Sequence, residues 1–100
     1  MTKYGLHSKL TAQAGKGDAL AHILMEASNY VCAHHGCLLY MVSKHQIELD
    51  SIYITEVWNT KREHDDSLLD THVRELISKA IPLIAEPPQG GNELIILGGI

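Results

Sequence analysis

The chain has 100 residues, a mass of 11.0 kDa and a formal charge of −4, from 8 Lys plus Arg against 12 Asp plus Glu. One domain fits that length, and 45% apolar with 20% charged residues is globular rather than disordered composition. The acidic balance lacks the basic footprint of a nucleic-acid binder, and no apolar run nears the roughly 20 residues that a membrane span needs.

No apolar leader core follows Met1, so cytoplasmic residence is expected. Cys32 and Cys37 make no disulfide framework and are expected to stay reduced there.

Residues 4–12 alternate. Tyr4, Leu6, Ser8, Leu10 and Ala12 share one face, with Gly5, His7, Lys9 and Thr11 on the other. This predicts a strand with one mostly apolar face. Gly15-Lys16-Gly17-Asp18 reads as a turn ending in a capping aspartate. A helix is expected over 19–35, where Leu20, Ile23, Leu24, Ala27 and Val31 form a stripe. Gly36 suits its C-terminal cap, and His34 and His35 in the last turn suit the helix dipole.

A second strand is expected over 37–43, apolar on both faces, then a polar connection over 44–51. A third strand over 52–59 puts Ile52, Ile54, Glu56 and Trp58 on one face and Tyr53, Thr55 and Val57 on the other. The region 61–85 reads as two helical pieces. Asp70 or Thr71 caps the second, whose stripe is Val73, Leu76, Ile77, Ala80 and Ile81. Pro82 ends or kinks it. A loop is expected over 87–91 and a last apolar strand over 93–97.

The order β-α-β-β-α-β is the split βαβ, ferredoxin-like plan of an α+β fold, a four-stranded antiparallel sheet with both helices on one face. The other face then keeps apolar side chains from the second and fourth strands. Two such faces packed together would make a symmetric homodimer.

The Cys32-Ala33-His34-His35-Gly36-Cys37 run and the His64-Asp65-Asp66 run with His72 hold metal-ligand types. Neither has spacing that brings four ligands to one centre, so no metal is expected. No Gly-x-Ser-x-Gly elbow and no glycine-rich phosphate loop is present, and no cofactor is expected. Ser67 lies three residues after His64, a helical-neighbour spacing. What remains is an apolar cavity where the broken helix stands away from the sheet. Trp58, Tyr40, Tyr53, Met25, Met41 and Ile54 are candidate walls, with core packing as each aromatic's alternative. His64 is the candidate proton acceptor, with an exposed helix start as its alternative.

Three landmarks occur in order: Gly36-Cys37-Leu38-Leu39-Tyr40, Glu56-Val57-Trp58, and the stretch from Asn59 through His64 to Leu68. Their order and spacing resemble the antibiotic biosynthesis monooxygenase family, quinol monooxygenases included, over nearly all of a single domain spanning 1–100. The resemblance implies a dimeric α/β barrel that oxidises a small phenol, quinol or anthrone with O₂, without flavin, haem or metal. It implies His64 as catalytic base, Trp58 packed on the substrate, and Tyr40 shaping the pocket. Tyr53, Met41, Ser67 and His72 complete the expected substrate-binding set. Many members carry a histidine nine residues after the tryptophan; here Ser67 stands there, with His64 one turn earlier. Glu56 shares the face of Trp58, with a salt-bridge or helix-cap role expected and catalysis as its alternative.

The same barrel also hosts haem-degrading enzymes, which the strand-ending tryptophan resembles. Ser8 stands where they carry an asparagine, and His64 or His72 would be the iron ligand. A non-catalytic small-ligand module and an isomerase are the remaining alternatives.

Overall fold

The computed structural model describes residues 2–86 and 89–100. The chain runs β1 (Lys3–Thr11), α1 (Gly17–His34), β2 (Leu39–Lys44) and β3 (Ser51–Trp58). It continues through α2 (Lys61–Ser67), α3 (Thr71–Ala80), a 3₁₀ turn (Ile81–Leu83) and β4 (Gln89–Ile96). All strand pairs are antiparallel, in the order β2-β3-β1-β4. This is the ferredoxin-like plan, with its second helix broken into α2 and α3.

Register decides what faces the helices. Tyr4 pairs with Trp58, Leu6 with Glu56, Ser8 with Ile54 and Leu10 with Ile52. Across the other edge, Tyr40 pairs with Glu56 and Val42 with Ile54. Side chains alternate along a strand, so these residues share the helix-covered face. Leu10, Leu20, Leu24, Ile52 and Ile54 form one buried cluster there, and Val31, Cys37, Trp58 and Val73 form a second. The opposite face carries His7, Met41, Tyr53, Thr55 and Leu94. On it His7 Nδ1 lies 3.0 Å from Thr55 Oγ1, and Met41 and Leu94 remain 48% and 44% exposed.

Several boundaries differ from expectation, each for a physical reason. The helix α1 begins at Gly17, so Asp18 lies inside its first turn and pairs instead with Lys44 at 2.9 Å. The cap comes from Asp50 in the β2–β3 loop, whose carboxylate accepts the N–H groups of Gly15 and Gly17 at 3.1 and 2.9 Å. At the other end Gly36 takes φ +71°, the left-handed turn expected of a C-terminal glycine. The N-terminal caps of α2 and α3 are local side chains. Thr60 Oγ1 accepts the Glu63 N–H, and Asp70 Oδ1 accepts those of His72 and Val73. Pro82 lies in the 3₁₀ turn that extends α3.

The last strand starts at Gln89, so Gln89 to Gly91, expected as loop, belong to the sheet; Pro87 and Pro88 of that loop lie outside the described residues. Gly91 has a packing reason: a Cβ there would stand 2.7 Å from Leu6 Cδ1.

Candidate active site

The break between α2 and α3 holds the second helix off the sheet and leaves a cavity of about 640 Å³. Leu24 and Ala27 of α1, Ile54 of β3, and Leu76 and Ile77 of α3 supply apolar wall. Tyr40, Glu56, Trp58 and His64 also line it, as does Glu86, beyond the 3₁₀ turn. Among the described residues no Lys or Arg does so.

Strand β3 positions two of these groups. Glu56 and Trp58 are two residues apart on one face and both are buried, at 7% and 1% exposure. The Trp58 indole Nε1 donates to Glu56 Oε1 at 3.1 Å. Helix α2 brings His64 over them, its ring edge-on to Trp58 with centroids 5.6 Å apart. His64 Nε2 stands 3.8 Å from the same Glu56 oxygen. Its Nδ1 lies 2.9 Å from Asp65 Oδ1, and Asp65 is held in turn by Lys61 at 3.0 Å. The Asp65 carboxylate accepts only, so Nδ1 of the imidazole is the donor to it, and in the neutral ring Nε2 is the acceptor.

Among the described residues none hydrogen-bonds to Glu56 Oε2 or to the Tyr40 hydroxyl, whereas every fully buried polar side-chain atom is satisfied. Both are therefore open to the cavity they line. Burial raises the Glu56 carboxyl above its ordinary value, opposed by the Trp58 N–H and by His64. Burial, and then the Glu56 charge, raises the Tyr40 phenol, so that hydroxyl stays a donor. Cys37, pushed up to about 12 chiefly by burial, is a thiol rather than a nucleophile at neutral pH.

Of the residues expected from sequence, Trp58, Tyr40, His64 and Ser67 come together at the cavity. The Ser67 hydroxyl is already spent, donating to the His64 carbonyl at 2.6 Å. Tyr53 and Met41 do not join them. Tyr53 has the opposite strand parity from Trp58 and Met41 from Tyr40, so both point from the uncovered face. His72 stands outside, exposed, its ring 4.5 Å from that of Tyr30. Two participants escaped the sequence reading, Glu56 as an open carboxylate and Asp65 as the orienting partner of His64. The signal for Glu56 was an acid on an otherwise apolar strand face. Among the described residues no three His, Cys, Asp or Glu side chains converge as metal ligands, and no helix is long and apolar enough to cross a membrane.

Fold and cavity together define a class: a ferredoxin-like α+β domain whose helices enclose an apolar pocket over a carboxylate and an imidazole. The family model described as antibiotic biosynthesis monooxygenase matches residues 4–79, and the chain belongs to that family. Among solved structures it is similar to a candidate antibiotic biosynthesis monooxygenase from Chloroflexus aurantiacus J-10-fl. The two are 37% identical, the match covers 98% of this chain and 96% of that one, and the TM-score is 0.87. A candidate of the same name from Caulobacter crescentus CB15 is 16% identical over 97% and 92% of the two chains, with a TM-score of 0.87. One from Nitrosomonas europaea is 13% identical over 95% and 90%, with a TM-score of 0.88. The last two likenesses are of fold alone. No curated protein matches the chain in sequence.

Proposed function

We propose that this protein is a cofactor-independent monooxygenase that oxidises a small phenol, quinol or anthrone with O₂, acting as a cytoplasmic homodimer. One observation carries the reading: an imidazole and a carboxylate, 3.8 Å apart, face a largely apolar cavity of about 640 Å³. That volume is in the range of small-molecule sites.

His64 Nε2 takes the acidic proton of the substrate. The substrate O–H or C–H bond breaks, N–H forms, and the electron pair stays on the aromatic system. Trp58 and the aliphatic walls hold that ring and exclude water. The electron-rich anion passes one electron to O₂, and the two radicals join as a C–O–O bond. The imidazolium returns its proton to the resulting peroxide anion, and for an anthrone, loss of water from that hydroperoxide leaves one oxygen atom on carbon as a carbonyl. Asp65 stabilises the imidazolium between these steps. An isomerase would use the same base without O₂. A haem reading finds less support: no Lys or Arg among the described residues lines the cavity to pair with propionates, and His72 lies outside it.

The test is oxygen uptake by metal-stripped protein with a panel of hydroquinones and anthrones, alongside His64→Ala. Uptake above the uncatalysed rate is expected, falling on the order of 100-fold in the variant, as removal of a general base does. No uptake with any panel member, or uptake indifferent to His64→Ala, would overturn the reading. The homodimer is expected through the uncovered sheet face, where Met41 and Leu94 are exposed. Sedimentation equilibrium should give twice the chain mass, and Met41→Lys should shift it toward the monomer.

A further inference from the structure

Glu56 Oε1 is committed to Trp58, while Oε2 and the Tyr40 hydroxyl are open to the cavity and unpartnered among the described residues. The two residues are direct partners across β2 and β3 and line the same cavity, so one acceptor and one donor stand side by side on its sheet wall. A single ligand group serves both if it donates one hydrogen bond and accepts another. An un-ionised hydroxyl does so. A hydrocarbon does neither, and an ammonium can only donate, leaving Tyr40 unmet.

Charge narrows the choice further. No Lys or Arg among the described residues lines the cavity, and Glu86 adds a second carboxylate to the lining. The lining imidazole, His64, already lies between Asp65 and Glu56. A carboxylate, sulfate or phosphate against this wall would face Glu56 without a counter-charge of its own. We infer that Glu56 is the specificity-determining residue of the cavity, admitting ligands through an un-ionised hydroxyl and rejecting anions. The inference rests on reading the cavity as the substrate site, and it holds whether or not the ligand reacts with O₂.

The chain has one tryptophan, so the Trp58 indole N–H gives a single resonance reporting on the Glu56 wall. Under argon at pH 7, the protein is titrated with 1-naphthol, 1-naphthoate and 1-methylnaphthalene, which share a ring system and differ in head group. Naphthol should shift the indole signal and bind about 100-fold more tightly than naphthoate, the scale of discrimination that mismatched buried polar groups reach. It should also bind about 10-fold more tightly than methylnaphthalene, the worth of one good hydrogen bond. Glu56→Gln keeps an acceptor for Trp58 but has no charge, and should cut the naphthoate penalty to roughly 5-fold or less. Tyr40→Phe covers the case of a misfolded Glu56→Gln. It should leave anion rejection intact and reduce, without abolishing, the naphthol preference over methylnaphthalene.

Equal binding of naphthol and naphthoate, an unchanged ratio in Glu56→Gln, an unchanged naphthol preference in Tyr40→Phe, or no naphthol binding would each overturn the inference. Head-group ranking without oxygen uptake would leave it standing and remove the oxygenase. Uptake without the ranking would do the reverse.

Discussion

Asp70 and Glu56 each face a histidine, and their surroundings pull them in opposite directions. Asp70 lies 2.8 Å from His35 Nε2, accepts the Tyr30 hydroxyl at 2.8 Å, and takes the backbone N–H groups of His72 and Val73. It caps α3 and ties that helix to the end of α1. His35, then Tyr30 and the two N–H groups, hold its carboxyl well below the usual carboxylate range. Glu56 accepts one hydrogen bond, sits 3.8 Å from its histidine, and is pushed upward by burial. A carboxylate with every oxygen satisfied holds the fold together. One left open in an apolar cavity costs stability and keeps a position for a ligand.

The largest effects should separate the two sites completely. His64→Ala should lower turnover on the order of 100-fold while leaving Tm nearly unchanged. Asp70→Ala removes a helix cap and two side-chain anchors, and should lower Tm by several degrees with turnover per folded molecule within about threefold. A His64 variant that unfolds, or an Asp70 variant that folds well but is inactive, would break the comparison. Linkage gives the Asp70 effect a pH signature. Its folded pKa is depressed, so its contribution is complete above the unfolded value near 3.8 and lost as pH falls below it. The Tm gap between wild type and Asp70→Ala should be present at pH 5 and shrink below about pH 4.

Much of this was legible because alternation and helical spacing are local. Trp58 and Glu56 declare a shared face by parity, and the break before Asp70 declares itself by its capping residue. Other features depend on contacts distant in sequence. The α1 cap is Asp50, from the far loop, so nothing near Gly17 announces it. Gly91 looks like a loop residue until Leu6 is packed against it in the sheet. Strand β2 is apolar on both faces, so composition could not choose between Tyr40 and Met41 as the cavity residue; pairing with Glu56 did. Tyr53 is a different case, since its parity already set it opposite Trp58. The openness of Glu56 Oε2 was not legible at all, because it is a property of what the other elements around the cavity leave uncovered.

The smallest effect is also the most diagnostic for Glu56. An open, buried carboxylate should cost the native state stability, so Glu56→Gln should raise Tm at neutral pH by a few degrees, the reverse of a typical buried substitution. The sign follows from the raised pKa. Below the ordinary value of 4.5 the carboxyl is protonated folded or unfolded, and wild type and variant should melt together. Above it the unfolded chain releases the proton while the folded chain retains it, so wild type loses stability as pH rises toward the raised pKa. The variant carries no such group. The Tm difference should therefore open from about pH 4.5 and level off once folded Glu56 is ionised. A lower Tm for Glu56→Gln at every pH would assign the carboxylate to the same structural class as Asp70, held for the Trp58 hydrogen bond rather than kept open for a ligand.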